Sequence, residues 1–213
     1  EILMPDPSYP CNRHFVSAAE GQSVLIPTTA EERFQLTREK VEAAWNDKTR
    51  GVLLASPSNP TGTSIAPEEL QRIHEYVESR GGITLIDEIY LGLSYEEHFG
   101  HTALAMPNGL GQSVISINSF SKYFNMTGWR LGWLVVPEAL VPVIERIAQN
   151  LAQLLGTSSF FDNIVGQAEN YDRSAIPQNE YDKRKFWNRS VSVGVEAGSG
   201  LMTFSLHQGN NPP

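Results

Sequence analysis

Polar side chains follow the short apolar runs of this sequence at the points where the runs end, and one more precedes the fourth run. They carry amide, carboxyl, phenol, hydroxyl, amine and guanidinium groups, and they are Asn59, Asp87, Tyr90, Ser119, Ser121, Lys122 and Arg130. If the runs are strands of a parallel sheet, these groups lie beyond the carboxyl ends of the strands, where such sheets bind ligands. The spacing therefore predicts a ligand-binding site at one edge of a sheet.

Each of these residues also has an ordinary structural interpretation. Asn59 precedes Pro60 and fits a turn, and Asp87 fits a capping carboxylate. A single lysine such as Lys122 is usually a surface residue. Tyr90 fits a half-buried packing aromatic, and Arg130 fits one partner of a structural ion pair. Their recurrence at successive strand ends favours the site over these separate interpretations.

The elements that must position these residues can be predicted from the apolar pattern. Four runs rich in β-branched residues and bounded by turn residues predict buried strands at 51–55, 83–86, 114–117 and 131–136. Between the first two runs, Leu70, Ile73 and Val77 recur at helical spacing, which predicts a helix over 67–80. Strand, helix and strand in this order indicate a βαβ unit. The predicted fold class is α/β with a mostly parallel sheet.

The last quarter of the chain has a weaker pattern. A further helix is predicted from Glu138 to about Leu155, and from about residue 156 the periodicity fades toward a polar, glycine-containing end. We therefore predict a ligand-binding core over 1–155, and we predict no regular packed structure for 156–213.

Composition excludes several classes of partner. The chain has 213 residues and a formal net charge of −8, with no clustered basic patch for a nucleic acid or an anionic membrane. No apolar run approaches the roughly 18 residues of a membrane span. The single cysteine, Cys11, excludes an internal disulfide framework and fits a reducing compartment, so the expected location is cytoplasmic.

Four segments resemble the class I/II aminotransferases, which depend on pyridoxal phosphate. Residues 119–133, SFSKYFNMTGWRLGW, are similar to the lysine segment of that family. Residues 58–63, SNPTGT, look like its Asn-Pro-Thr-Gly loop, and 87–90, DEIY, look like its Asp-Glu-x-Tyr segment. Residues 6–10, DPSYP, resemble an upstream turn. The order and the spacings also fit, with 28 residues from Asn59 to Asp87 and 35 from Asp87 to Lys122. The resemblance covers roughly residues 1–150.

The resemblance implies a role for each residue at the predicted edge. Lys122 would form a Schiff base with the cofactor aldehyde and move the proton of the substrate Cα. Asp87 would pair with the pyridinium nitrogen, because an adjacent negative charge favours the cationic form. Asn59 and Tyr90 would hydrogen-bond the ring oxygen.

The cofactor phosphate has its own implied partners. Ser119, Ser121 and Arg130 look like the phosphate grip, since the planar fork of arginine can bind two phosphate oxygens at once. Tyr9 is a candidate neighbour of the cofactor ring. An equally good interpretation is an aromatic residue that packs against its own turn. No metal ion is implied.

The resemblance also implies a three-layer α/β/α large domain, a homodimer, and an amino acid and a 2-oxo acid as substrates. Family members are about twice this long, so we expect the small domain to be absent or incomplete here. Three alternatives stay open: another enzyme of this fold, such as a carbon–sulfur lyase, synthase or decarboxylase; a fragment that only binds the cofactor; and a ligand-sensing module of a transcriptional regulator.

Overall fold

A computed structural model describes residues 1–107, 113–127, 132–154, 190–195 and 202–206. The chain divides into two compact units, Glu1–Asn118 and Ser119–Pro213.

The first unit alternates strands and helices around a parallel sheet. Its elements are β1 (Ile2–Asp6), α1 (Pro10–Ala18), β2 (Ser23–Pro27), α2 (Arg38–Ala44), β3 (Gly51–Ala55), α3 (Pro67–Ser79), β4 (Ile83–Asp87) and β5 (Val114–Ser119), whose last residue begins the second unit. Short 3₁₀ helices lie at Leu91–Leu93, Glu97–Phe99 and Ala103–Ala105. The strands run in the order β2-β1-β3-β4-β5, and every pair is parallel. The predicted α/β class is confirmed.

The central strands form the core because their apolar residues are buried. Val52 and Leu54 of β3, Ile86 of β4 and Val114 of β5 expose 2% of their surface or less. Burial of apolar surface is the main favourable term in folding, at roughly 25 cal/mol per Å². The first residue of β3 is Gly51. A larger residue would not fit there, because its Cβ would lie 2.3 Å from the carbonyl oxygen of Ile83 on the neighbouring strand.

Helix α3 covers this core with one face. Pro67 stands in its first turn, where a missing N–H costs nothing. Leu70, Ile73, His74 and Val77 are its buried residues, at the three- and four-residue spacing of one helical face. The helix ends at Ser79, and the predicted helix over 67–80 is confirmed within one residue.

The strand order determines where a ligand can enter the sheet. From β1 the chain passes to β2 on one side and then crosses to β3 on the other side. In an open α/β sheet, the crevice beyond the carboxyl ends at such a reversal is the usual binding place. The turn after β1 and the loop after β3 flank this crevice.

The second unit contains antiparallel strands. Its described elements are β6 (Gly132–Val135), a 3₁₀ turn (Glu138–Leu140), α4 (Val141–Leu154), β7 (Ser190–Val195) and β8 (Met202–Leu206). β6 pairs with β7 and β7 pairs with β8.

Several of the described elements differ from the predictions. β5 continues two residues beyond the predicted end at Ile117. The predicted helix from Glu138 begins with a 3₁₀ turn, and α4 starts at Val141, directly before Pro142, a residue suited to a first helical turn. Strands β7 and β8 lie in the segment for which no regular structure was predicted. The domain boundary near residue 155 stays a prediction.

The described residues contain neither a membrane-spanning helix nor a cluster of metal-binding side chains. None of the described helices has the length and apolar character needed to span a membrane. Within the same ranges, no three or more His, Cys, Asp or Glu side chains are grouped so that they could hold a metal ion.

Candidate active site

The loop after β3 carries Asn59 at the carboxyl edge of the sheet. Two backbone hydrogen bonds close it, from the Ser58 amide to the Thr63 carbonyl at 2.8 Å and from the Gly62 amide to the Ser58 carbonyl at 2.7 Å. Gly62 has a φ of 69°, a left-handed conformation that glycine adopts without a Cβ clash. The loop is therefore held by its own backbone in the position where Asn59 was predicted.

Gln35 joins the two ends of this loop, although it lies outside it. Its side-chain Nε2 donates to the carbonyl oxygen of Ala55 at 3.2 Å and to that of Thr63 at 2.8 Å. Gln35 exposes 4% of its surface, so these bonds are shielded from water. No sequence motif indicated this residue.

Asp87 is the last residue of β4, as predicted. Its carbonyl oxygen accepts from the Ser56 amide at 3.0 Å, and its Oδ1 accepts from the Ile89 amide at 3.1 Å. Burial raises the pKa of Asp87, and the neighbouring charge of Glu88 raises it further, while the bond from Ile89 lowers it. Both causes make the anion costly, so a cation placed against this carboxylate would be favourable.

Tyr90 and Asn59 line the same cavity. It has a volume of about 430 Å³, and it lies between the loop after β3 and the segment of Tyr90 to Phe99. Tyr9, in the turn after β1, is exposed and does not line this cavity, but it lies near enough to Tyr90 and Asp87 to be affected by their charges. A hydrogen bond with Cys11 is the main cause that raises the pKa of Tyr9, and the charges of Tyr90 and Asp87 add to it. The first unit therefore brings four of the predicted residues together.

Ser119, Ser121 and Lys122 belong to the second unit. Ser119 ends β5, and its Oγ accepts from the Ser121 amide at 3.0 Å. Lys122 follows in an exposed turn. The carbonyl oxygen of Lys122 accepts a hydrogen bond from the Asn125 amide at 2.9 Å. Asn125 has a φ of 54°, a left-handed conformation that asparagine tolerates better than most residues.

A cluster of aromatic rings adjoins this turn. The ring centroid of Phe120 lies 5.1 Å from that of Phe124 and 4.9 Å from that of Trp133. Ring pairs at such distances add to the stability that burial provides. Arg130, the predicted phosphate-binding arginine, lies outside the described residues.

The donor set of the first unit fits pyridoxal phosphate. A half-buried carboxylate whose pKa is raised suits the cationic ring nitrogen, and Asp87 provides it. The ring oxygen needs hydrogen-bond donors, and the amide of Asn59 and the phenol of Tyr90 line one cavity.

Known proteins are similar to this chain over most of its length. Residues 1–190 match the family model described as aminotransferase class I and II. The chain is 37% identical to the valine–pyruvate aminotransferase of Mycobacterium tuberculosis over 175 residues, which are 79% of this chain and 44% of that protein. It is 29% identical to the aspartate aminotransferase of Pyrococcus abyssi over 201 residues, which are 92% of this chain and 51% of that protein.

Solved structures show the same fold. A crystal structure of an aminotransferase from Mycobacterium tuberculosis matches with a TM-score of 0.63 and 40% identity, covering 70% of this chain and 38% of that one. The chain spans about half the length of the curated relatives it matches.

Proposed function

Because this chain belongs to the class I and II aminotransferase family, we propose that it transfers an amino group from an amino acid to a 2-oxo acid with pyridoxal phosphate as cofactor. The observation that carries the proposal is the grouping of Asn59, Asp87 and Tyr90 at the carboxyl edge of β3 and β4. The proposed route is ping-pong: a donor amino acid leaves as an oxo acid before the acceptor oxo acid binds.

The residues of the first unit would hold and tune the cofactor ring. When bound, pyridoxal phosphate supplies an aldehyde and a ring that accepts electrons. The carboxylate of Asp87 would accept a hydrogen bond from the protonated ring nitrogen and keep that proton in place. The Asn59 amide and the Tyr90 hydroxyl would donate to the ring oxygen. Tyr9 would be a neighbour of the cofactor ring, because the charges of Tyr90 and Asp87 affect its pKa.

The second unit would supply the reactive amine. The Nζ of Lys122 would bind the cofactor aldehyde covalently and, once displaced by substrate, would take and return the proton of the substrate Cα. The hydroxyls of Ser119 and Ser121 and the guanidinium of Arg130 would bind the phosphate. The homodimer implied by the family resemblance is part of the same proposal.

Reductive trapping tests the proposal directly. The purified chain is mixed with pyridoxal phosphate, reduced with borohydride, digested and mapped by mass spectrometry. We expect one modified peptide with the adduct on Lys122, and its loss in Lys122→Ala. Lys48→Ala is the matched control, because it removes an exposed lysine from the first unit and should leave the adduct unchanged.

Two outcomes would contradict the proposal. One is labelling scattered over surface lysines in the wild-type chain. The other is a Lys122→Ala variant that transaminates at the wild-type rate.

Product analysis separates the reaction classes. Valine and aspartate are the first donors to test, because relatives are named for them. A 2-oxo acid formed together with an aminated acceptor supports transamination. Release of ammonia or carbon dioxide would instead indicate a lyase or a decarboxylase. An adduct on Lys122 without turnover would restrict the function of this chain to cofactor binding.

A further inference from the structure

Glu88 is a buried carboxylate that has no role in the cofactor binding and catalysis proposed above. It follows Asp87 directly, and it exposes only 3% of its surface. Among the described residues, no basic side chain forms an ion pair with it. A buried carboxylate is expensive unless hydrogen bonds or a cation compensate the loss of water.

Three donors converge on this carboxylate. The Ala103 amide donates to Oε1 at 2.6 Å. The hydroxyls of Thr102 and Ser116 donate to Oε2 at 2.7 Å and 2.6 Å. The donors come from the segment after β4 and from β5, so two separate parts of the chain hold the Glu88 side chain.

The bonds around Glu88 suit its ionised form. The Thr102 hydroxyl accepts from the Leu104 backbone amide at 3.3 Å, and the Ser116 hydroxyl accepts from the side-chain amide of Asn118 at 2.8 Å. Each hydroxyl can therefore direct its own hydrogen to Glu88, and an ionised carboxylate can accept all of these bonds. Burial raises the pKa of Glu88, and hydrogen bonds from Ser116, Ala103, Thr102 and Asn118 oppose that rise.

We propose that Glu88 is a positioning residue. It acts through Asp87 and strengthens the interaction of the Asp87 carboxylate with the protonated ring nitrogen of the cofactor. The proposal rests on the proposed function. Two adjacent carboxylates at the end of β4 repel each other, and the charge of Glu88 raises the pKa of Asp87. A cation against Asp87 relieves that repulsion, so the pair binds the cationic ring more tightly than Asp87 alone.

The test compares the wild-type chain with Glu88→Gln. Glutamine has the same shape: its Oε1 can accept from Ala103, and its amide can donate to the second lone pairs of both hydroxyls. Each protein is loaded with pyridoxal phosphate that carries ¹⁵N in the ring, and the ring-nitrogen shift is followed by NMR against pH. We expect the midpoint of ring deprotonation to fall by about one pH unit or more in Glu88→Gln.

A second measurement uses pyridoxine 5′-phosphate, which lacks the aldehyde and binds without Lys122. We expect its dissociation constant to rise about tenfold in Glu88→Gln, the same factor as one pH unit. Glu97→Gln is the matched control: it removes one negative charge from an exposed position, and it should change neither value.

Distinct results separate this proposal from the proposed function. An unchanged ring midpoint in a Glu88→Gln variant that binds the cofactor overturns the role of Glu88 alone, even if the variant melts at a lower temperature. A wild-type chain that binds neither cofactor form overturns the proposed function, and the role of Glu88 with it.

Discussion

At the level of single residues, the loop that carries Asn59 depends on a glutamine outside it. In Gln35→Leu, the carbonyl oxygens of Ala55 and Thr63 lose a buried donor. We expect the free energy of unfolding to fall by about 1–3 kcal/mol, since each of the two lost hydrogen bonds contributes about 0.5–1.5 kcal/mol. We also expect weaker binding of pyridoxine 5′-phosphate, because the loop would no longer be held at both ends. Urea unfolding and a binding titration measure the two effects.

Gln71→Leu is the matched control for this change. Gln71 makes an exposed hydrogen bond to Glu75 on the surface of α3. Its replacement should alter the free energy of unfolding by no more than about 0.5 kcal/mol. Equal effects in the two variants would contradict a special role for Gln35.

Single residues differ in how well the sequence reveals them. Asn59, Asp87 and Tyr90 stand in short motifs at strand ends, and the structure places all three at the predicted edge. Glu88 stands in one of the same motifs, but its proposed role depends on hydrogen-bond donors from segments that are distant in the sequence. Gln35 has no signal at all, because its importance comes from the distance between two carbonyl groups that only folding brings together.

At the level of elements, α3 and β4 share a buried polar contact. His74 and Thr84 are both fully buried, with His74 Nδ1 3.3 Å from Thr84 Oγ1. Burial lowers the pKa of His74, against the opposing charges of Glu78 and Glu75. The unfolded histidine, with a pKa of about 6.5, then binds protons more readily than the folded one. The contribution of His74 is present above that pH and is lost as the pH falls toward the folded pKa.

His74→Leu should remove this dependence. We expect the free energy of unfolding of the wild-type chain to lose more between pH 7.5 and pH 5.5 than that of the variant. Burial raises the pKa of Asp87 and Glu88, so their contribution has the opposite sign and is lost as the pH rises. Both proteins contain these carboxylates, and their contribution cancels in the comparison.

The exposed His101 provides the control for this experiment, since His101→Leu should retain the wild-type pH dependence. Urea unfolding at each pH gives the values. Parallel curves for the wild-type chain and His74→Leu would show that His74 does not titrate differently on folding.

Elements with continuous apolar runs were predicted, and elements without them were missed. β3 and β4 are compact, largely apolar runs with buried residues at alternate positions, and α3 has a regular apolar face. β1 contains Pro5, a residue usually excluded from strand interiors. β7 alternates serine and glycine with valine, so it lacks the compact apolar run by which the others were found.

At the level of the whole molecule, cofactor binding should increase the thermal stability of the chain. A ligand that binds only the folded state at a hundred times its dissociation constant adds about 2.7 kcal/mol. We expect the melting temperature to rise with pyridoxal phosphate and, to a smaller extent, with pyridoxine 5′-phosphate. Both compounds carry the ring and the phosphate, so the difference between the two shifts would measure the proposed covalent bond of Lys122. No shift with either compound would contradict an assembled site.

The fold class of the whole molecule was predictable because it depends on repetition of one pattern, strand followed by helix. The activity of the chain was not predictable in this way, because the chain spans about half the length of its curated relatives.

The strand order has a consequence for synthesis on the ribosome. β1 can pair with β2 about twenty residues after it emerges, because Ile2 pairs with Ser23. Its other side pairs with Gly51, so that edge stays open until about thirty further residues have been added. An open edge is a place where another chain can add a strand. The nascent chain therefore has an open strand edge between the completion of β2 and the arrival of β3, before Asn59, Asp87 and Tyr90 have been made.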